Sequence, residues 1–360
     1  MSGEGTRIAI EPVSRRRARP SPETLGFGSH ATDHMFLAEH TPERGWHGPR
    51  IVPYGPLALE PRALALHYGQ TVFEGMKAYR QADGSVALFR PYENARRLNR
   101  SAARMAMPAL PEDVFVAAVS ALADLDRDWI PDTDAPELYL RPLLIAADPF
   151  LGVRPAEHHL FVVMACPMVP VSSPDSPGLR LLVREDLSRT APGGIGDAKT
   201  AANYGPTVAA LETARADGYD NLLWLDAAEH RRVEEAGITN VFVRYGREVV
   251  TPPLTERILA GITRDSVIAL LGDRGFAVRE REIDIETLVS DIGRGRAEEA
   301  FVTGTATVVA PVLELGFRGV DHRFGGDRGL GRALRAALLD IQYGRAEDRR
   351  GWRHAIGSRG

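Results

Sequence analysis

Residues 193–206 read GGIGDAKTAANYGP. Lys199 in this loop is one of two lysines among 44 basic residues, the other being Lys77. Arginine serves as well for solvation and most ion pairs, but a guanidinium stays charged at any accessible pH. A lysine amine can lose its proton and add to a carbonyl to give a Schiff base. A lysine kept in an arginine-biased chain therefore marks Lys199 for amine chemistry. The loop also divides the chain. After it, the helical run TVAALETARADG (207–218), with Gly218 placed to end it, leads into the strand NLLWLDA (221–227). The sequence TNVFVRYGREVVTPP (239–253) reads as a hairpin turning near Tyr245-Gly246, and GITRDSVIALLGDRG (261–275) as a helix opening after Gly261.

Before the loop, GSVALFRP (84–91) reads as a short strand, ENARRLNRSAARM (93–105) as an amphipathic helix, and 137–147 and 158–166 as strands. The stretch PMVPVSSPDSPG (167–178) has four prolines and three serines, the composition of a connection between domains. Two α/β domains follow, with the Gly-Lys loop near the start of the second. The first 45 residues, with Arg15, Arg16 and Arg17 in Pro/Ser-rich surroundings, read as a partly mobile arm.

A chain of 360 residues with 44% hydrophobic and 26% charged residues is ordinary for a soluble globular protein. A net charge of −4 gives no field for nucleic acid or membrane. The most apolar run, at 160–171, is short and broken by prolines, so no membrane span is expected. The single cysteine, Cys166, excludes an intrachain disulfide and a cysteine-rich metal site. A cytoplasmic enzyme with no metal is the expectation.

Seven segments then carry a resemblance. In order they are VFEGMKAYR (72–80), LFRPYENARRLNRSAARM (88–105), LYLRPLLI (138–145), GIGDAKTAANYGPT (194–207), EEAGITNVFV (234–243), TPPLTERILAGITRDS (251–266) and TGTATVVAPV (303–312). Together they resemble the class IV, pyridoxal-phosphate-dependent branched-chain amino-acid aminotransferases. The resemblance implies a two-domain α/β (α+β) fold of type IV: a smaller α/β domain over 46–166, an interdomain loop at 167–178, and a larger cofactor-binding domain with a barrel-like sheet over 179–360. It makes Lys199 the Schiff-base lysine and proton carrier, Tyr204 the partner of the cofactor's ring oxygen and Glu235 the partner of its pyridinium nitrogen. Sequence chemistry alone does not choose between Glu234 and Glu235; the family spacing to Gly237 and Asn240 favours Glu235. Arg90, the amides of Ile262 and Thr263, and Thr305 would hold the phosphate.

On the substrate side the resemblance places Tyr68, Phe73, Tyr139 and Ala306, beside Thr305, around an apolar pocket, and Arg141 at the distal carboxylate of glutamate. Leu151 and Val153 would reach into a partner's site, which implies a homodimer with shared sites. The implied activity is transfer of the amino group of leucine, isoleucine or valine to 2-oxoglutarate. Lys77 receives no step.

The sequence departs from the family pattern at Ala201-Ala202, at Gly237-Ile238-Thr239-Asn240, and in an interdomain loop without an aromatic. All three border the substrate, so a roomier or altered pocket is expected, for a related non-standard or aromatic L-amino acid. A D-amino-acid transaminase or an aminodeoxychorismate lyase are the same-fold alternatives.

Overall fold

Residues 34–41 carry the apolar run Met35-Phe36-Leu37-Ala38, which a solvated arm could not keep in water. In a computed structural model of the chain, which describes residues 7–170 and 176–357, these residues form an interior strand. The chain divides into two compact units. The first is Met1–Val171 with Ala198–Ala202 and Ile341–Gly360; the second is Ser172–Asp197 with Asn203–Asp340.

The first unit holds β1 (Ala9–Ile10), β2 (His34–Thr41), β3 (Gly45–Pro53), β4 (Thr71–Phe73), β5 (Met76–Arg80), β6 (Val86–Phe89), β7 (Glu137–Ala146) and β8 (His159–Met168). They run in the order β1-β3-β2-β8-β7-β5-β6, closed by a C-terminal strand, Arg353–Ile356, with β4 paired to β7. Pairing is antiparallel except between β1 and β3. The arm expected over 1–45 thus gives up β2 to the sheet. Part of the expected 179–360 domain also belongs to this unit: Arg353–Ile356 covers the edge of β6, and residues 198–202 lie against β4. Residues 171–175 of the expected interdomain loop lie outside the described residues, and β8 already claims Pro167 and Met168.

After the short helix α1 (Leu64–Tyr68), helices α2 (Pro91–Arg104) and α3 (Glu112–Leu125) cover one sheet face. Ala95, Leu98 and Ala102 of α2 and Phe115, Val119 and Leu122 of α3 are buried with Phe36, Leu138, Leu140 and Phe161. Each large side chain so enclosed contributes roughly 1.5–3 kcal/mol. Because side chains alternate along a strand, Leu138 and Leu140 face the helices, whereas Tyr139 and Arg141 face away from them. Met76 and Ala78 sort the same way, which leaves Lys77 directly across from Tyr139 on the far face.

The second unit contains β9 (Leu179–Val183), β10 (Asn221–Leu225), β11 (Val233–Ala236), β12 (Asn240–Tyr245), β13 (Glu248–Thr251), β14 (Ala277–Glu280), β15 (Glu299–Gly304), β16 (Val308–Phe317) and β17 (Val320–Arg323). The mixed sheet runs β11-β10-β9-β16-β15-β12-β13-β14, with β17 on β16. The hairpin read at Tyr245-Gly246 joins β12 to β13. Helices α4 (Val208–Ala216), α5 (Ile262–Asp273) and α6 (Ile285–Gly293) follow the strands. No helix among the described residues is long and apolar enough to cross a membrane.

His40 on β2 and His159 on β8 sit opposite each other, ring centroids 5.9 Å apart. Burial, then the neighbouring His40, pushes His159 down to about 4. A histidine whose folded value lies below its unfolded 6.5 binds protons less well in the native state, so stability is lost as pH falls from 6.5 toward 4. The loss amounts to at most about 3–4 kcal/mol. Thermal unfolding midpoints measured over that range should fall less steeply for His159→Phe than for wild type; parallel slopes would discount His159 as the source.

Candidate active site

Lys199 belongs to the first unit although the chain on either side of it belongs to the second. Its N–H donates to Ser101 Oγ at 2.9 Å, and its carbonyl accepts from the Phe73 N–H at 3.0 Å. Thr200 Oγ1 donates to the Thr71 carbonyl at 2.8 Å. The Lys199 Nζ stands 4.7 Å from the centroid of the Phe73 ring, an apolar seat with a cation–π attraction.

Arg141 shares that ring. Its guanidinium lies 4.8 Å from the Phe73 centroid and 5.3 Å from that of Tyr139, and donates to Tyr139 Oη at 3.1 Å. Its buried Nε–H finds no acceptor among the described residues. Tyr139 is seated by Gly75: a Cβ there would fall 2.0 Å from its hydroxyl, so only glycine allows the approach. Lys199, Phe73, Tyr139 and Arg141 therefore form one continuous cluster. Phe27 joins it, edge-on to Tyr139 with centroids 4.9 Å apart. The sequence reading missed Phe27 because it treated its surroundings as solvated arm.

Beside this cluster lies a buried charge. Burial pushes the Glu74 pKa up, but Arg97 foremost, with Lys199 and Asn94, outweighs this and holds the carboxyl below its ordinary range. Arg97 donates to both Glu74 oxygens at 2.7 and 2.8 Å, and Asn94 adds a bond of 2.8 Å.

Arg90 caps α2 from the left-handed region, φ 50°, immediately before Pro91. That conformation is disfavoured for a non-glycine and more so before proline, so the surroundings must enforce it. The Arg90 N–H donates to the Trp352 carbonyl at 2.7 Å, and its guanidinium lies 5.3 Å from the Trp352 ring centroid. Tyr68, Leu151 and Val153 form a separate, exposed group: the Tyr68 hydroxyl donates to the Leu151 carbonyl at 2.5 Å, and Val153 is 85% exposed.

The remaining expected residues lie in the second unit. Glu235 on β11 is buried; its Oε2 is 2.6 Å from Arg189, and its Oε1 accepts from Asn240 Nδ2 at 3.2 Å. Nothing in an arginine-rich sequence singles out Arg189. Glu234, pointing to the other side of the strand, pairs with Arg257, and burial still leaves its pKa raised. Asn240 also holds the entry to α5. A Cβ on Gly261 would come 2.1 Å from Asn240 Oδ1, so this cap is restricted to glycine. Gly261 lends no side chain to the first turn, where Ile262 and Thr263 stand. Thr305 and Ala306 occupy the turn from β15 to β16, which ends at Val308 with φ 62°, a strained value for a β-branched residue. Tyr204 precedes a 3₁₀ turn, Gly205–Thr207, and its carbonyl accepts from Thr207.

Pyridoxal phosphate needs an amine, an acid for its ring nitrogen and an anion-binding cup. The donor set suits it. Glu235 is a buried carboxylate held in place by Arg189 and Asn240, an acid of the kind the ring nitrogen needs. A helix start with a glycine cap offers amides to a phosphate. Among the described residues no cluster of side chains could hold a metal ion.

The family model for amino-transferase class IV matches residues 71–315. The chain is 43% identical over 350 residues to branched-chain-amino-acid transaminase 1 of Bacillus subtilis (strain 168), covering 96% of this chain and 98% of that one. Among solved structures it is similar to the branched-chain amino acid aminotransferase from Escherichia coli, with a TM-score of 0.74 at 26% identity, over 91% of this chain and 99% of the other. It is similar also to the PLP form of the branched-chain amino acid aminotransferase from Thermobaculum terrenum, TM-score 0.73 at 26% identity, over 90% and 98%.

Proposed function

The chain belongs to the class IV aminotransferases, and from that membership we propose that it is a pyridoxal-phosphate-dependent branched-chain L-amino-acid aminotransferase of fold type IV. One observation carries the substrate reading. Arg141 is stacked between Phe73 and Tyr139 with a buried N–H that no described residue accepts. Such a wall is apolar to a leucine side chain and cationic to the distal carboxylate of glutamate, so one pocket serves both donors. An unpaired buried donor costs about 1–3 kcal/mol, which a bound carboxylate would relieve.

When bound, pyridoxal phosphate supplies an electrophilic carbon and a ring that withdraws electrons from the substrate's α-carbon. We assign to Lys199 both its attachment and the movement of the α-proton, tasks only a deprotonatable amine can perform. Glu235, oriented by Arg189 and Asn240, keeps a proton at the ring nitrogen. Tyr204 donates to the ring oxygen. Arg90, Thr305 and the amides of Ile262 and Thr263 bind phosphate. Tyr68, Phe73, Tyr139 and Ala306 wall the side-chain pocket, and Phe27 adds the ring that the interdomain loop lacks. Donor and acceptor react in turn: the amino acid leaves as its 2-oxo acid, then 2-oxoglutarate leaves as glutamate. A cytoplasmic homodimer completes the proposal. Supporting it, Tyr68, Phe150, Leu151 and Val153 leave large apolar surface exposed, as an interface would require.

The test is a half-reaction. L-leucine or L-glutamate is added to the loaded protein without an oxo acid, and the cofactor's absorbance is followed. Wild type should respond to both and not to D-alanine. Arg141→Ala should keep its response to leucine while its apparent affinity for glutamate falls by about 10–100-fold, the worth of a charged hydrogen bond. Equal losses for both donors would refute the shared-pocket reading, and a response to D-alanine in preference to L-leucine would refute the substrate class.

A further inference from the structure

Helix α2 touches the candidate site at three levels. Arg90 caps it. One turn on, Asn94 and Arg97 hold Glu74, the residue after Phe73. One turn further, the buried Ser101 accepts the Lys199 N–H. Positions 94, 97 and 101 are spaced three and four apart, so a single helix face makes all these contacts. Glu74 in turn anchors its own strand region, since its N–H donates to the Pro142 carbonyl at 2.8 Å.

Residues 198–202 are a five-residue inlay in a unit to which neither flank belongs. The Lys199 main chain is held on both sides: its carbonyl by β4 through the Phe73 N–H, and its N–H by α2 through Ser101. Thr200, bonded to Thr71, ties the following residue to the same strand. The Ser101 bond is the contact that joins the Lys199 N–H to a helix clamped by the Glu74–Arg97 pair, and it helps set the direction in which the amine leaves the backbone.

We propose that Ser101 is a positioning residue for the reaction: its hydroxyl fixes the Lys199 peptide against helix α2 and so aims the amine along the Phe73 ring. The hydroxyl touches no reacting atom and acts through Lys199, so the inference rests on the role assigned to that lysine. Alanine at 101 removes the hydroxyl that accepts the half-buried Lys199 N–H, whereas threonine retains the oxygen.

The experiment compares wild type, Ser101→Ala and Ser101→Thr, each loaded with pyridoxal phosphate. Borohydride reduction and peptide mass spectrometry locate the attached residue. Absorbance across pH gives the titration of the lysine-bound cofactor. Steady-state rates give kcat and KM for leucine and 2-oxoglutarate, and thermal unfolding reports stability. Attachment at Lys199 is expected throughout. For Ser101→Ala the titration midpoint should move and kcat fall by about 10–100-fold with KM nearly constant, as for a misdirected catalytic group. Threonine should restore most of both. Wild-type kcat and titration in Ser101→Ala would overturn the inference, whether or not its unfolding midpoint falls; so would a threonine variant as impaired as the alanine one. A label on a residue other than Lys199 in wild type would instead overturn the reading beneath it.

Discussion

Replacing Lys199 with alanine is expected to slow transamination by about 10⁴-fold, since it removes both the attachment point and the proton carrier. The fold should survive. The residue's backbone bonds to Ser101 and Phe73 are retained in the variant, and the side chain vacates the Phe73 face. The informative companion is Lys199→Arg. It keeps the charge and much of the length, and a guanidinium can still sit over the Phe73 ring. It cannot give up a proton near neutrality. Arginine should therefore be as inactive as alanine, and neither should show the absorbance of a lysine-bound cofactor. Turnover by Lys199→Arg within tenfold of wild type would mean that charge at this position, and not a deprotonatable amine, is what matters, and the assignment would fall.

The sequence made Lys199 visible because composition isolated it and its neighbours carry a dense pattern of glycine, asparagine and tyrosine. Strands β7, β8, β10 and β12 were legible for a simpler reason. Each is an apolar run bounded by turn residues, and burial on a sheet demands that pattern. Strand β2 was not, because Pro- and Arg-rich residues precede it and its last three residues, Glu39, His40 and Thr41, are polar. The C-terminal strand is four residues long with one fully apolar anchor, Ile356, and only its pairing to β6 reveals it. Within the site, alternation along β11 explains why Glu234 and Glu235 could not be separated by chemistry: each is buried and each has its own arginine. Those arginines, Arg189 and Arg257, come from loops, where no periodicity announces a partner.

Lys77 supplies the contrast, and the largest expected loss of stability. Its ammonium is 2.6 Å from Glu137 Oε2, with side-chain exposures of 0% and 1%. Glu137 Oε1 also accepts from the Tyr343 hydroxyl at 2.8 Å, and Tyr343 stands edge-on to Tyr79, centroids 5.2 Å apart. The pair thus holds the C-terminal segment to the first sheet. Cutting Lys77 to alanine leaves a carboxylate in the interior without its cation, at a cost of about 3–5 kcal/mol. Urea unfolding should show that loss, and the double variant Lys77→Met with Glu137→Gln should recover most of it, because the isolated charge and not the missing contact is the penalty. A single-variant loss below about 1 kcal/mol would mean that water reaches the pair. Unlike Lys199→Ala, any folded Lys77 variant should retain the absorbance of the lysine-bound cofactor, since its amine is committed to Glu137 and not to the Phe73 face. The two lysines then survive in an arginine-rich chain for separate physical reasons. At 199 the amine must be able to lose its proton. At 77 a compact cation fits a fully buried ion pair with Glu137, where a guanidinium would bring in a larger planar head and five donors.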